Sequence, residues 1–150
     1  MRKNPIDDGP FKGLQRNYYQ AMMVDIPWHF KRYAEVPLDT PGCRATEVHY
    51  PTLNLNVVKA MPVVSLAAAH CWLFMWVIAS HLPHALAVMA AWGFTYSSDA
   101  FNWIKVKQCH DGSLMLSDSD LRTGKGFTTR KGSELCLLGR RGKALTADAR

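Results

Sequence analysis

The sequence predicts a domain of the α/β class, and two patterns support this prediction. Residues 71–107 contain an apolar run (CWLFMWVIA), a segment with near-helical apolar spacing (HLPHALAVMAAWGF) and an alternating segment (TYSSDAFNWIKVK), in that order. Strand, helix and strand joined by short turns form a βαβ unit. Nearer the N-terminus, YYQAMMVD predicts another strand, which ends at Asp25. A chain of 150 residues suffices for one such domain, so we predict a single domain over residues 1–150.

The elements of the βαβ unit have local signals of their own. The apolar run mixes aromatic and branched residues without alternation, which is typical of a strand buried on both faces. The helix has Pro83 in its first turn, where a missing N–H does no harm, and Gly93 as its stop. Residues 108–126 are rich in Gly, Ser and Asp and predict a loop. ELCLLGRRGK then predicts a fourth strand followed by a basic turn.

The remaining segments are predicted to be short or irregular. Residues 1–17 are polar and predict a flexible N-terminus, and residues 144–150 predict a tail. Residues 29–52 hold three prolines and a glycine that are typical of a long loop beside an active site. NLNVVKAMPVVSLAA predicts a short helix that breaks near Pro62.

The charge distribution favours a polyanionic partner. The chain has a formal net charge of +6, but residues 1–120 carry ten basic and ten acidic residues and so balance. Residues 121–150 carry eight basic residues against only Glu134 and Asp148. A localised basic surface attracts polyanions, of which nucleic acid is the commonest. A solvated basic tail would have the same composition, so charge alone leaves both interpretations open.

A long uncharged run raises the alternative of a membrane protein. Residues 60–98 contain no Asp, Glu, Lys or Arg, and a membrane span needs only about 20 apolar residues. Pro62 and Pro83 bracket the most apolar part, and three histidines fall in the run or at its edge. The change from strand-like to helix-like pattern along the run favours the βαβ interpretation, and we therefore expect no membrane segment.

The four cysteines and the N-terminus indicate a cytoplasmic protein without a metal site. No C-x-x-C pair is present, and the two His–Cys neighbours would point to opposite faces of a strand, which suits a tetrahedral metal poorly. The N-terminus lacks the apolar segment of a secretory signal. We therefore expect reduced thiols and no bound metal.

The stretch VDIPWHF, residues 24–30, is the first candidate site. One interpretation is a simple strand end, in which Asp25 starts a turn, Pro27 stops the ladder and Trp28 covers the core edge. The other is a substrate pocket, because open α/β sheets bind ligands at the carboxyl ends of their strands. Position alone does not decide between them.

Five segments in order give the sequence a wider resemblance, which extends from about Tyr19 to Lys143. The chain resembles the MT-A-seventy family of N(6)-adenine methyltransferases, most closely its phage and bacterial DNA adenine methylases. The family's Asp-Pro-Pro-Trp signature corresponds to VDIPWHF. The other segments are HYPTL (49–53), LFMWVIASHLPHALAVMAAWGFTY (73–96), FNWIKVK (101–107) and GFTTRKGSELCLLGRRGK (126–143).

The resemblance implies a Rossmann-like fold of permuted order and a methyl transfer from S-adenosylmethionine to the exocyclic amine of adenine, with DNA favoured over RNA. It implies catalytic roles for Asp25, the main chain of Ile26, Pro27 and Trp28, with Asp25 also beside the cofactor. A carboxylate and a carbonyl that accept the two N–H bonds would favour a tetrahedral nitrogen with a directed lone pair. Pro27 would stiffen the turn, and Trp28 would offer an aromatic face to the base.

The resemblance also implies substrate contacts outside the signature. His49 and Tyr50 match the family's active-site loop, and Arg130 and Lys131 are expected to hold the nucleic-acid backbone. A base in a duplex would have to leave its stack to reach the site. Glu134 matches an acid common in the family, but no chemical step is assigned to it.

The sequence departs from the family pattern in two places. Ile26 stands where the family has proline, so one rigid constraint is lost although the carbonyl remains. The family continues beyond the basic GRRGK segment into a part that builds much of the cofactor pocket, whereas here only ALTADAR follows. The alternative function is therefore a catalytically inactive remnant that binds nucleic acid or acts as a scaffold. An unpaired strand would favour homo- or hetero-oligomers.

Overall fold

The computed structural model describes residues 4–28, 51–108, 112–125 and 128–143. Its main sheet has four strands in the spatial order β1-β2-β6-β3. These strands are β1 (Tyr19–Asp25), β2 (Ala67–Val77), β3 (Thr95–Ile104) and β6 (Ser133–Arg141). These ranges also contain a separate two-stranded ribbon, two α-helices and two 3₁₀ turns: β4 (Gly124–Lys125), β5 (Arg130–Lys131), α1 (Leu55–Ala60), α2 (Leu82–Ala91), Val63–Ser65 and Ala79–His81.

This mixed α/β architecture agrees with the predicted class, and the strand directions define the site. β1 and β2 are parallel, and β6 is antiparallel to both β2 and β3. The predicted βαβ unit is therefore present in β2, α2 and β3, although β6 lies between its two strands. Because β1, β2 and β3 run in the same direction, their carboxyl ends share one border of the sheet with the amino end of β6. We call this the carboxyl border; Asp25, Trp76, Trp103 and Glu134 lie along it.

Helix α2 begins and ends at the predicted signals. Pro83 lies in its first turn. Gly93 has a positive φ of 76°, which a residue without a side chain adopts at little cost. The amide of Gly93 donates to the carbonyl of Ala90, and the amide of Phe94 donates to that of Met89 at 3.0 Å. This is a Schellman motif, so the sequence stop at Gly93 is confirmed.

Both helices pack on one face of the sheet and form the core there. From Cys71 onwards the buried residues of β2 are Cys71, Leu73, Met75 and Val77, which alternate along the strand. They pack with the buried face of α2, including Val88 and Met89. The residues between them on β2 are only half-buried. The prediction that this strand is buried on both faces is therefore wrong, because the described helices cover a single face.

The opposite face of the sheet, which we call the open face, carries a set of aromatic side chains. Phe74 stacks on Phe101 with ring centroids 5.8 Å apart, and Trp76 meets Trp103 edge-on at 6.3 Å. Phe101 and Trp103 are nonetheless 52% and 54% exposed. Cys136 is fully buried between its cross-strand neighbours Trp76 and Phe101. The aromatic pairs thus shield the middle of a face that is otherwise open.

Two other sequence predictions are partly confirmed. The helix expected over residues 54–68 breaks near Pro62, as predicted, since α1 ends at Ala60 and a 3₁₀ turn follows at Val63–Ser65. Its last residues are not helical, because β2 already begins at Ala67. The loop predicted over residues 108–126 ends in the short strand β4, and most of the loop predicted over residues 29–52 lies outside the described residues.

The N-terminal segment and the uncharged run also have definite structure. Residues 4–17 form a turn in which Pro5 bridges Gln15, and the amide of Ile6 donates to the carbonyl of Leu14 at 2.8 Å. Residues 60–98 contain β2, α2 and the start of β3. Across the described ranges, no helix combines the length and the apolar character needed to cross a bilayer.

Candidate active site

The end of β1 is a tight turn that two backbone hydrogen bonds fix. The amide of Trp28 donates to the carbonyl of Ile26 at 2.8 Å, and the amide of Leu53 donates to the carbonyl of Pro27 at 3.0 Å. Trp28 and Leu53 also form a parallel bridge. The Ile26 side chain is only 7% exposed and belongs to the core. Burial of this side chain anchors the turn at the position where the family signature has proline.

Asp25 is the last residue of β1 and projects on the open side of the sheet. Its cross-strand partner is Trp76, which shares its face. The carboxyl group is exposed, and no hydrogen bond to it is found among the described residues. Partial burial raises the pKa of Asp25 above its ordinary value, and the nearby Glu134 carboxylate raises the pKa further. An unpaired carboxylate whose charge its surroundings disfavour is typical of functional sites.

The carbonyl oxygen of Ile26 retains part of its accepting capacity. It already accepts the amide of Trp28, but a carbonyl oxygen has two lone pairs. Asp25 and the Ile26 carbonyl are adjacent along the chain at the carboxyl border. The structure thus brings together the two acceptors that the sequence singled out.

The Trp28 side chain is buried, whereas a surface on which a base stacks would have to be exposed. Its side chain is only 6% exposed and packs in the core cluster. Its ring lies 5.6 Å from the ring of His81, which in turn lies 5.5 Å from that of His84. The indole Nε1 is buried without a hydrogen-bond partner in the described structure. A base would reach only the rim of Trp28 in this arrangement.

A cavity of about 450 Å³ opens beside this aromatic cluster. Its lining includes Trp28, His81 and His84 together with residues 52–55. Neither histidine was predicted from the sequence to be a site residue. Their position directly after β2 was the available signal, because residues that follow a parallel strand lie at its carboxyl end.

Charged and aromatic residues lie along the part of the carboxyl border that β6 and β3 form. Glu134 on β6 forms an ion pair with Lys105, and the Lys105 ammonium lies 5.3 Å from the centre of the Trp103 ring. Glu134 is also the cross-strand partner of Trp103. Glu134 was noted in the sequence. Lys105 and Trp103 were not, because their contacts with Glu134 depend on strand register.

Arg130 and Lys131 lie in β5, two residues before β6 begins. Both side chains are exposed. The amide of Lys105 donates to the carbonyl of Gly132 at 2.7 Å, which ties this ribbon to the end of β3. The basic residues are therefore attached to the carboxyl border. His49 and Tyr50 lie outside the described residues.

The described residues contain no group of three or more His, Cys, Asp or Glu side chains that would hold a metal ion. Cys71 and Cys136 are free and buried. Cys43 and Cys109 fall outside the described ranges.

The fold and the carboxyl border together define an α/β protein. One of its parallel strands, β1, ends at an exposed acid, and a hydrogen-bonded turn follows. Comparison with known proteins gives this class a name. Residues 19–149 match the MT-A70 family, the MT-A-seventy family named above, and the chain belongs to it.

A curated relative supports the same assignment. The chain is 30% identical over 128 residues to the Type II methyltransferase M.MunI from Mycoplasma sp. The match covers 78% of this chain and 54% of the relative. The chain thus spans about half the length of the relative that it matches.

Proposed function

We propose that this chain forms the substrate side of an S-adenosylmethionine-dependent methyltransferase that modifies the exocyclic amine of adenine in DNA. The observation that carries this proposal is Asp25, an exposed acid at the carboxyl end of β1 that has no bonding partner among the described residues and lies next to the carbonyl of Ile26. Family membership and the M.MunI relative support methyl transfer as the reaction class.

The chemistry follows from the weakness of the amine as a nucleophile. The lone pair of an exocyclic amine is delocalised into the purine ring. Asp25 and the Ile26 carbonyl each accept one N–H bond, which holds the nitrogen in a more tetrahedral form with its lone pair directed outward. The raised pKa of Asp25 strengthens its carboxylate as an acceptor, since acceptor strength follows basicity.

The residues at the border fit a cationic sulfonium cofactor. Partial burial and then the Glu134 carboxylate, which is paired with Lys105, raise the pKa of Asp25, and a cation bound beside Asp25 would offset this unfavourable charge. The rings of Trp76 and Trp103 offer aromatic faces on the same side of the sheet. When bound, the cofactor supplies the methyl group. Asp25 would orient the amine towards it.

Nucleic-acid binding is assigned to the basic residues attached to the border. Arg130 and Lys131 are exposed and suit contacts to phosphate, which carry little sequence information. His49 and Tyr50 are assigned to the base by the family resemblance. Trp28, His81 and His84 shape the adjoining cavity and limit what enters it.

Transfer of a labelled methyl group from S-adenosylmethionine to adenine-containing DNA tests the proposal. Asp25→Ala should abolish transfer while leaving the circular dichroism spectrum unchanged, because Asp25 is exposed and makes no described hydrogen bond. Asp118→Ala is the matched control, since Asp118 is an exposed acid in the loop after β3. Retained transfer in the Asp25 variant would contradict the assigned role.

A nucleic-acid-binding protein without catalysis is the second candidate. It is favoured by the exposed basic pair Arg130 and Lys131 on β5. Isothermal titration of the folded chain separates the two candidates. Binding of DNA without binding of S-adenosylmethionine would support the second one.

A further inference from the structure

The loop after β3 exposes three consecutive apolar residues that the proposed chemistry does not use. Leu114 and Met115 are 98% and 85% exposed, and Leu116 is 41% exposed. A single exposed apolar side chain is common on protein surfaces, but an exposed run of three is unfavourable in water unless it has a function. Such a run indicates a surface that contacts another molecule. We call residues 114–116 the apolar tip.

A short antiparallel pairing holds the loop that carries the apolar tip. Residues 105–107 directly continue β3 and pair with residues 120–122. Val106 bridges Leu121, and backbone hydrogen bonds of 2.8 and 2.9 Å flank this bridge. Three residues of extended chain span about 10 Å, so this hairpin extends past the end of β3. The apolar tip therefore projects from the same border of the sheet that carries Asp25.

Hydrogen bonds within the loop hold the chain on both sides of the apolar tip. On one side, the amide of Met115 donates to the Ser113 hydroxyl at 3.2 Å. On the other side, the amide and the hydroxyl of Ser117 donate to the Asp120 carboxylate at 2.9 and 2.6 Å. These turns limit the conformations in which the tip could fold back onto the protein, because side chains that bond to nearby backbone groups fix the local chain direction.

Basic side chains surround the base of this hairpin. Lys107 and Arg122 are exposed on its two strands, and Arg130 and Lys131 are exposed on the ribbon attached to the end of β3. Among the described residues of the loop, Asp118 is the one exposed acid, and it lies after the apolar tip. An apolar tip on a cationic base fits a polyanion with an apolar interior. A stacked nucleic-acid duplex has both properties.

We propose that the apolar tip enters the base stack of duplex DNA and fills the gap left by the adenine that turns towards Asp25. This inference rests on the proposed function, since an amine inside a duplex becomes accessible only when its base leaves the stack. β2 and β6 lie between β1 and β3, which separates Asp25 from the base of the hairpin by roughly 14 Å at ordinary strand spacing. Leu114 and Met115 stabilise the unstacked duplex, and the basic side chains hold its phosphates.

Binding of the 150-residue chain to an adenine-containing duplex and to its separated strands tests this proposal. The double variant Leu114→Ser/Met115→Ser should weaken duplex binding about tenfold or more, because unstacking costs free energy that the tip no longer offsets. It should bind the single strands as the wild type does, because a single strand has no closed duplex stack to open. Both side chains are exposed, so the variant should fold.

Permanganate gives a direct readout of unstacking, because it oxidises thymines that have left the stack. At saturating protein, the wild type should increase the oxidation of duplex thymines and the double variant should not. Leu114→Met/Met115→Leu keeps the tip apolar and should behave as the wild type. Val64→Ser is the matched control, because Val64 is 39% exposed in the 3₁₀ turn before β2, at the border opposite Asp25. It should change neither measurement.

Equal weakening of duplex and single-strand binding by the double variant, or undiminished thymine oxidation by it, would overturn the proposal. Absence of duplex binding by the wild type would do the same. An anionic membrane also attracts basic and apolar side chains. Binding to phosphatidylserine vesicles that the double variant loses, with duplex binding unchanged, would therefore assign the tip to a membrane and overturn the proposal.

Methyl transfer separates this inference from the proposed function. Unstacking that depends on the apolar tip, without methyl transfer by the wild type, would contradict the proposed function and leave the role of the tip intact. Transfer that Asp25→Ala abolishes, together with normal unstacking by the double variant, would support the proposed function and remove the role of the tip.

Discussion

At the scale of single residues, the environment of Asp25 links the candidate chemistry to the stability of the chain. Partial burial and the Glu134 carboxylate raise its pKa above the ordinary value of 3.8. In the folded state Asp25 therefore holds its proton to higher pH than in the unfolded state. The free energy of unfolding then falls as the pH rises from the ordinary pKa through the raised one. Above that window the ionised carboxylate lowers the stability of the fold.

Asp25→Asn should therefore raise the free energy of unfolding at pH 7, because it removes a charge that the folded state disfavours. The gain should disappear at about pH 3, where the wild-type carboxyl group is protonated in both states. Urea unfolding at the two pH values measures the difference. Asp118→Asn makes the same change at another exposed acid, in the loop after β3, and is the control. A gain of the same size at both pH values would mean that packing, not charge, is responsible.

Two tryptophans show how similar residues take different roles. The Trp92 Nε1 donates to the carbonyl of Val58 at 2.9 Å and joins α2 to α1 in the core. Trp28 is buried to a similar degree, but its Nε1 has no partner among the described residues. A buried donor without a partner costs free energy, which a ligand in the adjoining cavity would recover. Trp92 therefore has a structural role, whereas the orphan donor supports the proposal that Trp28 belongs to the site.

At the scale of elements, the contact between α2 and β6 depends on a glycine. A Cβ atom at Gly139 would lie 2.8 Å from the Sδ atom of Met89 and 3.2 Å from two neighbouring carbons. Met89 is fully buried on α2, so its flexible side chain has no free space to enter. The absence of a side chain at Gly139 lets the helix lie close to the sheet.

Gly139→Ala should accordingly lower the free energy of unfolding by about 1–3 kcal/mol, the usual cost of overpacking a core. The double variant Gly139→Ala/Met89→Ala should lose less than the sum of the two single changes, because removal of Met89 makes room for the new methyl group. Chemical denaturation measures all three variants. Gly124→Ala is the control, because its nearest new contact is an ordinary 3.7 Å to the Lys131 carbonyl. Additive losses in the double variant would exclude a steric origin.

At the scale of the whole molecule, the two faces of the sheet are buried in different ways. Helices cover one face and enclose Cys71, whereas among the described residues the aromatic pairs shield Cys136 on the open face. Burial raises the pKa of both thiols, and the Arg141 charge opposes this effect at Cys71. Both thiols should therefore react slowly with alkylating reagents.

Phe101→Ala should speed the alkylation of Cys136 several-fold and leave that of Cys71 unchanged. Phe101 is a cross-strand neighbour of Cys136 and is itself 52% exposed, so its removal uncovers the thiol without opening the core. Mass spectrometry of the alkylated peptides measures the two rates separately, and Cys71 serves as the internal control. Equal acceleration at both cysteines would indicate general unfolding rather than local uncovering.

The sequence was most informative where a signal is local. Pro83 and Gly93 defined the bounds of α2, Pro62 defined the break after α1, and Asp25 was correctly placed at the end of β1. These features depend on the φ preference of proline, the tolerance of glycine for positive φ, and the turn chemistry of the acid. The family signature added the identity of the candidate acceptors.

The order of the strands and the neighbours of the site were decided only by tertiary structure. The insertion of β6 between β2 and β3, and hence the approach of Glu134 to Asp25, depends on pairing between residues distant in the chain. The aromatic run of β2 predicted burial on both faces because apolar composition does not record which face a partner covers. Sequence by itself therefore determined the class, the main elements and the acid at the strand end. The aromatic pairs of the open face and the charged border emerged only from the fold, because long-range register has no local signature in the chain.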